Sequence, residues 1–132
     1  MDRPLVLIVD DEALICGLLE DAFEQAGFDV ASVFSGVDAI NDLGGSQSFA
    51  ALVSDVNLGG EVDGWAVAVT ARQADPDIPV VYVTGDSAAD WSAFGVPNSL
   101  VIQKPFVVAQ IVTAVMTLMN GRPAATVSAI DG

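Results

Sequence analysis

Leu5-Val6-Leu7-Ile8-Val9-Asp10-Asp11-Glu12 is the stretch that decides the fold. Five consecutive apolar residues of strand length read as a central strand buried on both faces, because a strand with one wet face would alternate. Three acids stand at its carboxyl end. Downstream, Leu14, Ile15, Leu18, Leu19, Ala22 and Phe23 recur at helical spacing, and Gly27 stands where a helix C′ residue belongs. Residues 30–34 read as a second strand. Ser35 is placed to cap a short helix carrying Val37, Ala39, Ile40 and Leu43, which Gly44-Gly45 ends. Residues 50–53 form a third strand running into Ser54-Asp55, and Asn57 to Gly64 is a glycine-containing loop. A helix over 65–74, a turn at Asp75-Pro76-Asp77 and a fourth strand over 78–83 follow, the strand ending at Thr84-Gly85. Residues 86–94 read as a short helix capped by Asp86 or Ser87. Leu100 to Ile102 is a fifth strand before Gln103-Lys104-Pro105. Val108, Ile111, Val112, Val115, Met116 and Met119 mark the last helix.

Five β-α units in succession predict an α/β fold with a parallel sheet covered on both faces; taken as a doubly wound (βα)5 flavodoxin-like sandwich, its five strands are expected in the order 2-1-3-4-5 known for that fold. Crossovers in such a sheet are right-handed, and its sites lie at the carboxyl ends of the strands. Residues 1–120 are expected to form this domain and 121–132 a flexible tail.

The 132 residues carry a net charge of −14, which gives nucleic acid no basic footprint to bind. No apolar run is long enough to span a bilayer and no signal peptide is legible, so a cytoplasmic protein with no membrane partner is expected. There is no histidine, which excludes a Ser-His-Asp triad and a His-ligated metal. Cys16 is the single cysteine and reads as a small apolar helix residue. All but one of the 18 acids fall within residues 1–90, and Lys104 is the only lysine.

The expected topology gathers Asp10 and Asp11, Asp55, Thr84 and Lys104 at one sheet edge. Three crowded carboxylates raise one another's pKa unless a cation neutralises them. Mg²⁺, with its preference for oxygen ligands, suits that demand. A reactive carboxylate, a metal, an ammonium and a hydroxyl are the parts of phosphoryl transfer.

Val9-Asp10-Asp11-Glu12, Ser54-Asp55, Val83-Thr84-Gly85 and Lys104-Pro105-Phe106, in this order at these strand ends, resemble the marks of response-regulator receiver domains, with a match over residues 5–119. Each motif is weak alone; together they are specific. The resemblance implies that Asp55 accepts a phosphoryl group from a histidine kinase or a histidine phosphotransfer protein. It implies Mg²⁺ held by Asp10, Asp11, Asp55 and the backbone carbonyl of Asn57. Thr84 and Lys104 would contact the phosphoryl group, and Lys104-Pro105 would be cis. Such a chain is a signalling switch with slow self-dephosphorylation, not an enzyme that turns over substrate. Glu12 reads as an acid favouring the helix dipole, Asp63 and Gly64 as loop and helix-start residues. A Mg²⁺-dependent phosphohydrolase is a rival, but it would carry a cap insertion. A flavodoxin would need a Ser/Thr/Gly-rich loop where the acidic trio stands, and a receiver-like scaffold would not need the intact acids and lysine.

The chain departs from the pattern at three places. Val101 stands where the family's aromatic switch residue sits, three positions before the lysine. Tyr82, two before Thr84, either supplies that ring from another strand or merely packs. Gly59-Gly60 replaces the proline common in the loop after the acceptor, so a more mobile loop is expected. Phe106 to Asn120 carries no charge; either its polar residues suffice as a wet face, or a downstream protein or second copy covers it.

Overall fold

The computed structural model describes residues 3–121. Their order is β1 (Leu5–Val9), α1 (Ala13–Gln25), β2 (Asp29–Val33), α2 (Gly36–Leu43), β3 (Ala51–Asp55), α3 (Gly64–Ala74), β4 (Val80–Thr84), α4 (Trp91–Phe94, entered through a 3₁₀ turn at Ala88–Asp90), β5 (Leu100–Gln103) and α5 (Val108–Gly121). All strands are parallel, as the β-α alternation led one to expect, and their order is the β2-β1-β3-β4-β5 expected of a flavodoxin-like sandwich. The tail expected from residue 121 lies, apart from Gly121, outside the described residues.

The continuous apolar strands are explained by two cores, one per face of the sheet. Successive strand residues point to opposite sides. Leu7, Val9, Leu52, Val80 and Tyr82 therefore meet α2 and α3 through Ala39, Leu43, Val67, Ala68 and Ala71. Val6, Ile8, Val53, Val81 and Val83 meet α1 and α5 through Cys16, Leu19, Phe23, Ile111 and Val115. Each fully buried Leu, Ile or Phe stabilises the fold by roughly 2–3 kcal/mol relative to exposure. Burial pushes the Cys16 thiol up to about 11, in keeping with an inert apolar residue.

Gly27 ends α1 as expected. Its φ of +99° lets Phe28 N–H reach the Phe23 carbonyl at 3.0 Å and its own N–H reach Glu24 at 3.1 Å, a Schellman closure. The Phe23 and Phe28 rings then meet edge to face at 5.2 Å. Arg3 adds a cation at the same helix end, donating to the Glu24 and Phe28 carbonyls at 2.7 and 2.8 Å. Ser35 caps α2 by accepting from Asp38 N–H at 3.1 Å.

Three expectations shift. β2 begins and ends one residue early, leaving Phe34 half-exposed past its end. β4 starts at Val80, because Ile78 N–H is spent in the turn on Asp75 and Pro79 has no N–H to give the sheet. The helix expected over 86–94 is a 3₁₀ turn followed by a single helical turn, and neither Asp86 nor Ser87 caps it with its side chain. The reason is local. Thr84 Oγ1 takes the amide N–H of Ser87 at 2.9 Å and that of Asp86 at 3.4 Å, so the chain turns here before a helix can begin.

Candidate functional site

The sheet's carboxyl edge is built by register. Val9 pairs with Ser54, so the next residues, Asp10 and Asp55, leave adjacent central strands side by side. Asp55 pairs with Val83, one residue before Thr84, and Thr84 pairs with Gln103, one residue before Lys104. Four distant stretches thus deliver their functional tips to one place because the strands are parallel and end together.

Asp10, Asp11 and Asp55 form a group in which one carboxylate oxygen from each lies within 4.8 Å of the others. Asp10 and Asp55 are buried and Asp11 is exposed, so the pocket opens toward solvent on the Asp11 side. Asp55 is 5% exposed; its Oδ2 accepts from Lys104 Nζ at 3.0 Å and its Oδ1 from Asn57 N–H at 3.1 Å. Asp10 Oδ1 accepts from Glu12 N–H at 2.8 Å. Desolvation is the main reason the Asp10 carboxyl is pushed up to about 6; the Glu12 hydrogen bond opposes it, and the Asp55 charge adds to the rise. Burial pulls the Lys104 ammonium down, but the Asp55 hydrogen bond and charge, helped by Asp10 and Glu12, leave it above its ordinary value. Glu12 occupies the N-cap position of α1 without a side-chain cap, one place before the first turn in which it was expected.

The donor set fits a small hard cation: oxygen ligands only, three carboxylates in reach of one another and an open side for water. Lys104 supplies one counter-charge to the three acids, so the pocket keeps an excess of negative charge that a divalent ion would offset.

Thr84 is fully buried at the end of β4, and its hydroxyl oxygen accepts from the segment that follows. Lys104-Pro105 is cis, and Lys104 N–H donates to the Thr84 carbonyl at 2.8 Å. Val101 is partly buried beside Tyr82, its register partner on β4. The ring that β5 lacks is therefore present on the neighbouring strand, on the same face. Tyr82 is wholly buried; its hydroxyl accepts from Val96 N–H at 3.0 Å and its ring leans on Trp65 with centroids 4.6 Å apart.

Two features escaped the sequence reading. Asn57 Nδ2 donates to Asp86 Oδ1 at 2.9 Å, joining the loops after β3 and β4 across the pocket mouth. Residues 29 positions apart leave no periodic signal of such a bond. The other is Gly64, read only as a helix-start residue. Asp63 accepts from Ala66 N–H at 2.9 Å and caps α3, while a Cβ on Gly64 would lie 2.2 Å from the Asp55 carbonyl oxygen. The glycine brings the helix start against the end of β3. Gly64→Ala is expected to destabilise the fold by about 2 kcal/mol through backbone displacement, read as a lower urea midpoint; an unchanged midpoint would show that the approach is not tight.

A family model described as response regulator receiver domain matches residues 6–116. The crystal structure of a response regulator receiver protein from Sinorhizobium medicae is 40% identical, with a TM-score of 0.89 over 92% of this chain and 98% of that one. The transcriptional regulatory protein PrrA of Mycobacterium leprae is 30% identical over 99% of this chain and 56% of its own length. The chain thus spans about half the length of the curated relatives it matches. The receiver domain of a Pseudomonas aeruginosa sensor histidine kinase, solved with a magnesium ion in its active-site cleft, is 19% identical at a TM-score of 0.75 over 91% of this chain and 99% of that one, a likeness of fold alone. Among the described residues no helix is long and apolar enough to cross a membrane.

Proposed function

We propose, from the premise that the chain belongs to the response regulator receiver domain family, that Asp55 accepts a phosphoryl group from the phosphohistidine of a histidine kinase or histidine phosphotransfer protein. The observation that carries this reading is the Asp55 carboxylate held between the Lys104 ammonium at 3.0 Å and the acids Asp10 and Asp11. In the step, a carboxylate oxygen of Asp55 forms the new O–P bond while the P–N bond to the imidazole breaks. The electron pair of that bond stays on the imidazole nitrogen, which takes up a proton. Lys104 then follows the negative charge from the carboxylate to the phosphoryl oxygens, and the Thr84 hydroxyl, still able to donate its proton, turns to one of them. Bound by Asp10, Asp11, Asp55 and the Asn57 carbonyl, Mg²⁺ would supply positive charge against the transferring group.

The donor has an apolar approach. Leu14 is 76% exposed three residues after Asp11, and Leu18, one helical turn on, and Val107, two residues after Pro105, are also exposed. α5 buries Ile111, Ala114 and Val115 and turns Gln110, Thr113, Met116 and Thr117 outward, an uncharged face suited to a second copy or a downstream protein. A cytoplasmic location goes with this reading.

The signal leaves through the segment after β4. Thr84 holds its start through Ser87, and Tyr82 holds its end through Val96. Because Tyr82 is already wholly buried, the ring has no inward swing to make; it acts as the anchor against which the segment shifts.

Intact mass after incubation with a small acyl phosphodonor and Mg²⁺ tests the reading. One added phosphoryl group is expected, and a chelator should suppress it. A mass unchanged under both conditions would refute the assignment.

A further inference from the structure

The flank made by α3 and the segment 86–98 carries apolar side chains that the core leaves partly or largely exposed. Trp65 and Val69 stand one helical turn apart on α3. Phe94 is 58% exposed, with its ring centroid 6.3 Å from that of Trp65. Beside the half-exposed Val69, a groove of about 390 Å³ opens between α3 and the chain at Val96, Pro97 and Asn98. Contiguous apolar exposure of this kind marks interaction surfaces, whereas single exposed side chains do not.

Acids flank these apolar residues along the chain: Asp90 lies four residues before Phe94, Asp63 caps α3 two residues before Trp65, and Asp77 follows Pro76. The one cation lining the groove among the described residues, Arg72, directs its guanidinium to the carbonyls of Ile78, Pro97 and Asn98. An apolar surface flanked by acids is complementary to a bulky apolar anchor flanked by lysines or arginines. A second copy docked on this flank by the same surface would bring the same acids against these and be repelled here.

The flank is also joined to the pocket. The segment bearing Phe94 is tied at one end to Thr84 Oγ1 and at the other to Tyr82 Oη. Whatever draws the Thr84 hydroxyl toward Asp55 loosens the first tie and leaves the second.

We infer that the α3–α4 flank is where the phosphorylated chain holds a downstream protein, through a segment with an apolar anchor between basic residues. This rests on the phosphoacceptor reading of Asp55, and the two can fail separately.

Trp65 and Trp91 are the two tryptophans of the chain, so intrinsic fluorescence reads this flank. The full chain, with and without phosphodonor and Mg²⁺, is titrated with a synthetic leucine-lysine amphipathic helix and with its leucine-glutamate counterpart. Salt is kept high to screen long-range attraction, and intact mass is recorded on the same samples. A saturable fluorescence change is expected with the lysine helix alone, tightened when the mass shows phosphorylation. Phe94→Ala and Asp90→Lys should each weaken it about tenfold, while Val37→Ala, at an exposed position on α2, leaves it unchanged. Equal binding of both helices, no saturable change, affinity that does not respond to added phosphoryl, or wild-type affinity in the Phe94 and Asp90 variants overturns the inference; if mass has been added, the phosphoacceptor reading survives. A mass that never rises overturns that reading and, with it, the switching of this surface.

Discussion

Asp55→Asn is expected to take up no phosphoryl group, with labelling at least about a hundredfold below wild type under the same donor and Mg²⁺. The substitution keeps shape. The Asn oxygen can still accept from Asn57 N–H, which now reaches Asp55 Oδ1 at 3.1 Å. What is lost is the nucleophile, because the amide is neutral: its oxygen lacks the full negative charge of a carboxylate, and its nitrogen lone pair is delocalised into the carbonyl. Lost with it is the counter-charge of Lys104, now 3.0 Å away. Two other carboxylates lie within reach, so the comparison is selective: Asp10 and Asp11 are near enough to substitute if position alone sufficed. Intact mass of the wild type, Asp55→Asn and Asp10→Asn in parallel decides it. Equal mass gain in the first two would move the acceptor to another residue.

Asp10→Asn is expected to stabilise the metal-free protein at pH 7 by about 2–3 kcal/mol. A buried carboxyl moved from 3.8 to about 6 costs the folded state up to about 3 kcal/mol once ionised, at about 1.4 kcal/mol per pH unit. The direction follows from proton counts. Between 3.8 and about 6 the folded protein holds a proton that the unfolded chain has lost, so stability from this group falls as pH rises through that window. Above it both states are ionised and the penalty is complete. Asparagine removes the charge while its oxygen can keep the Glu12 N–H contact, now 2.8 Å. Urea unfolding in chelator at pH 5 and pH 7 reads both effects: the variant should be the more stable at pH 7, and the difference should shrink at pH 5. A variant less stable than wild type at pH 7 would show that Asp10 is a structural acceptor and not a strained acid. Mg²⁺ should narrow the gap by stabilising the wild type more, since it binds the folded carboxylates.

The penalty is informative about function. A core position that keeps an ionised acid at this cost, beside two more, is poorly explained by folding alone; an occupant carrying positive charge explains it.

The sequence was legible where the physics is local or periodic. Leu5–Val9 announced a strand wet on neither face, and Gly27 and Ser35 announced helix ends, because a positive φ and a capping oxygen depend on one or two neighbours. Parallel topology then carried Asp10, Asp11, Asp55, Thr84 and Lys104 to one edge, since each stands just past an apolar strand. Legibility stopped at residues 86–94. There the helical reading rested on weak amphipathicity, and a threonine two and three residues upstream captured the amides that would have begun the helix. Tyr82 could be read either as a switch ring or as packing. Only the folded chain shows it wholly buried, paired with Val101, in contact with Trp65 and bonded to Val96 N–H.

By itself, then, the order of residues determined the fold, the identity of the clustered acids and the lysine, and the family resemblance, because each follows from patterns within a few positions along the chain. Tertiary structure alone decided which oxygen meets the ammonium, how far Asp10 is withdrawn from water, that Gly64 must lack a side chain, and that Trp65, Val69 and Phe94 share one surface. Those depend on distances between segments tens of residues apart, and such distances are set by packing, which no local pattern encodes.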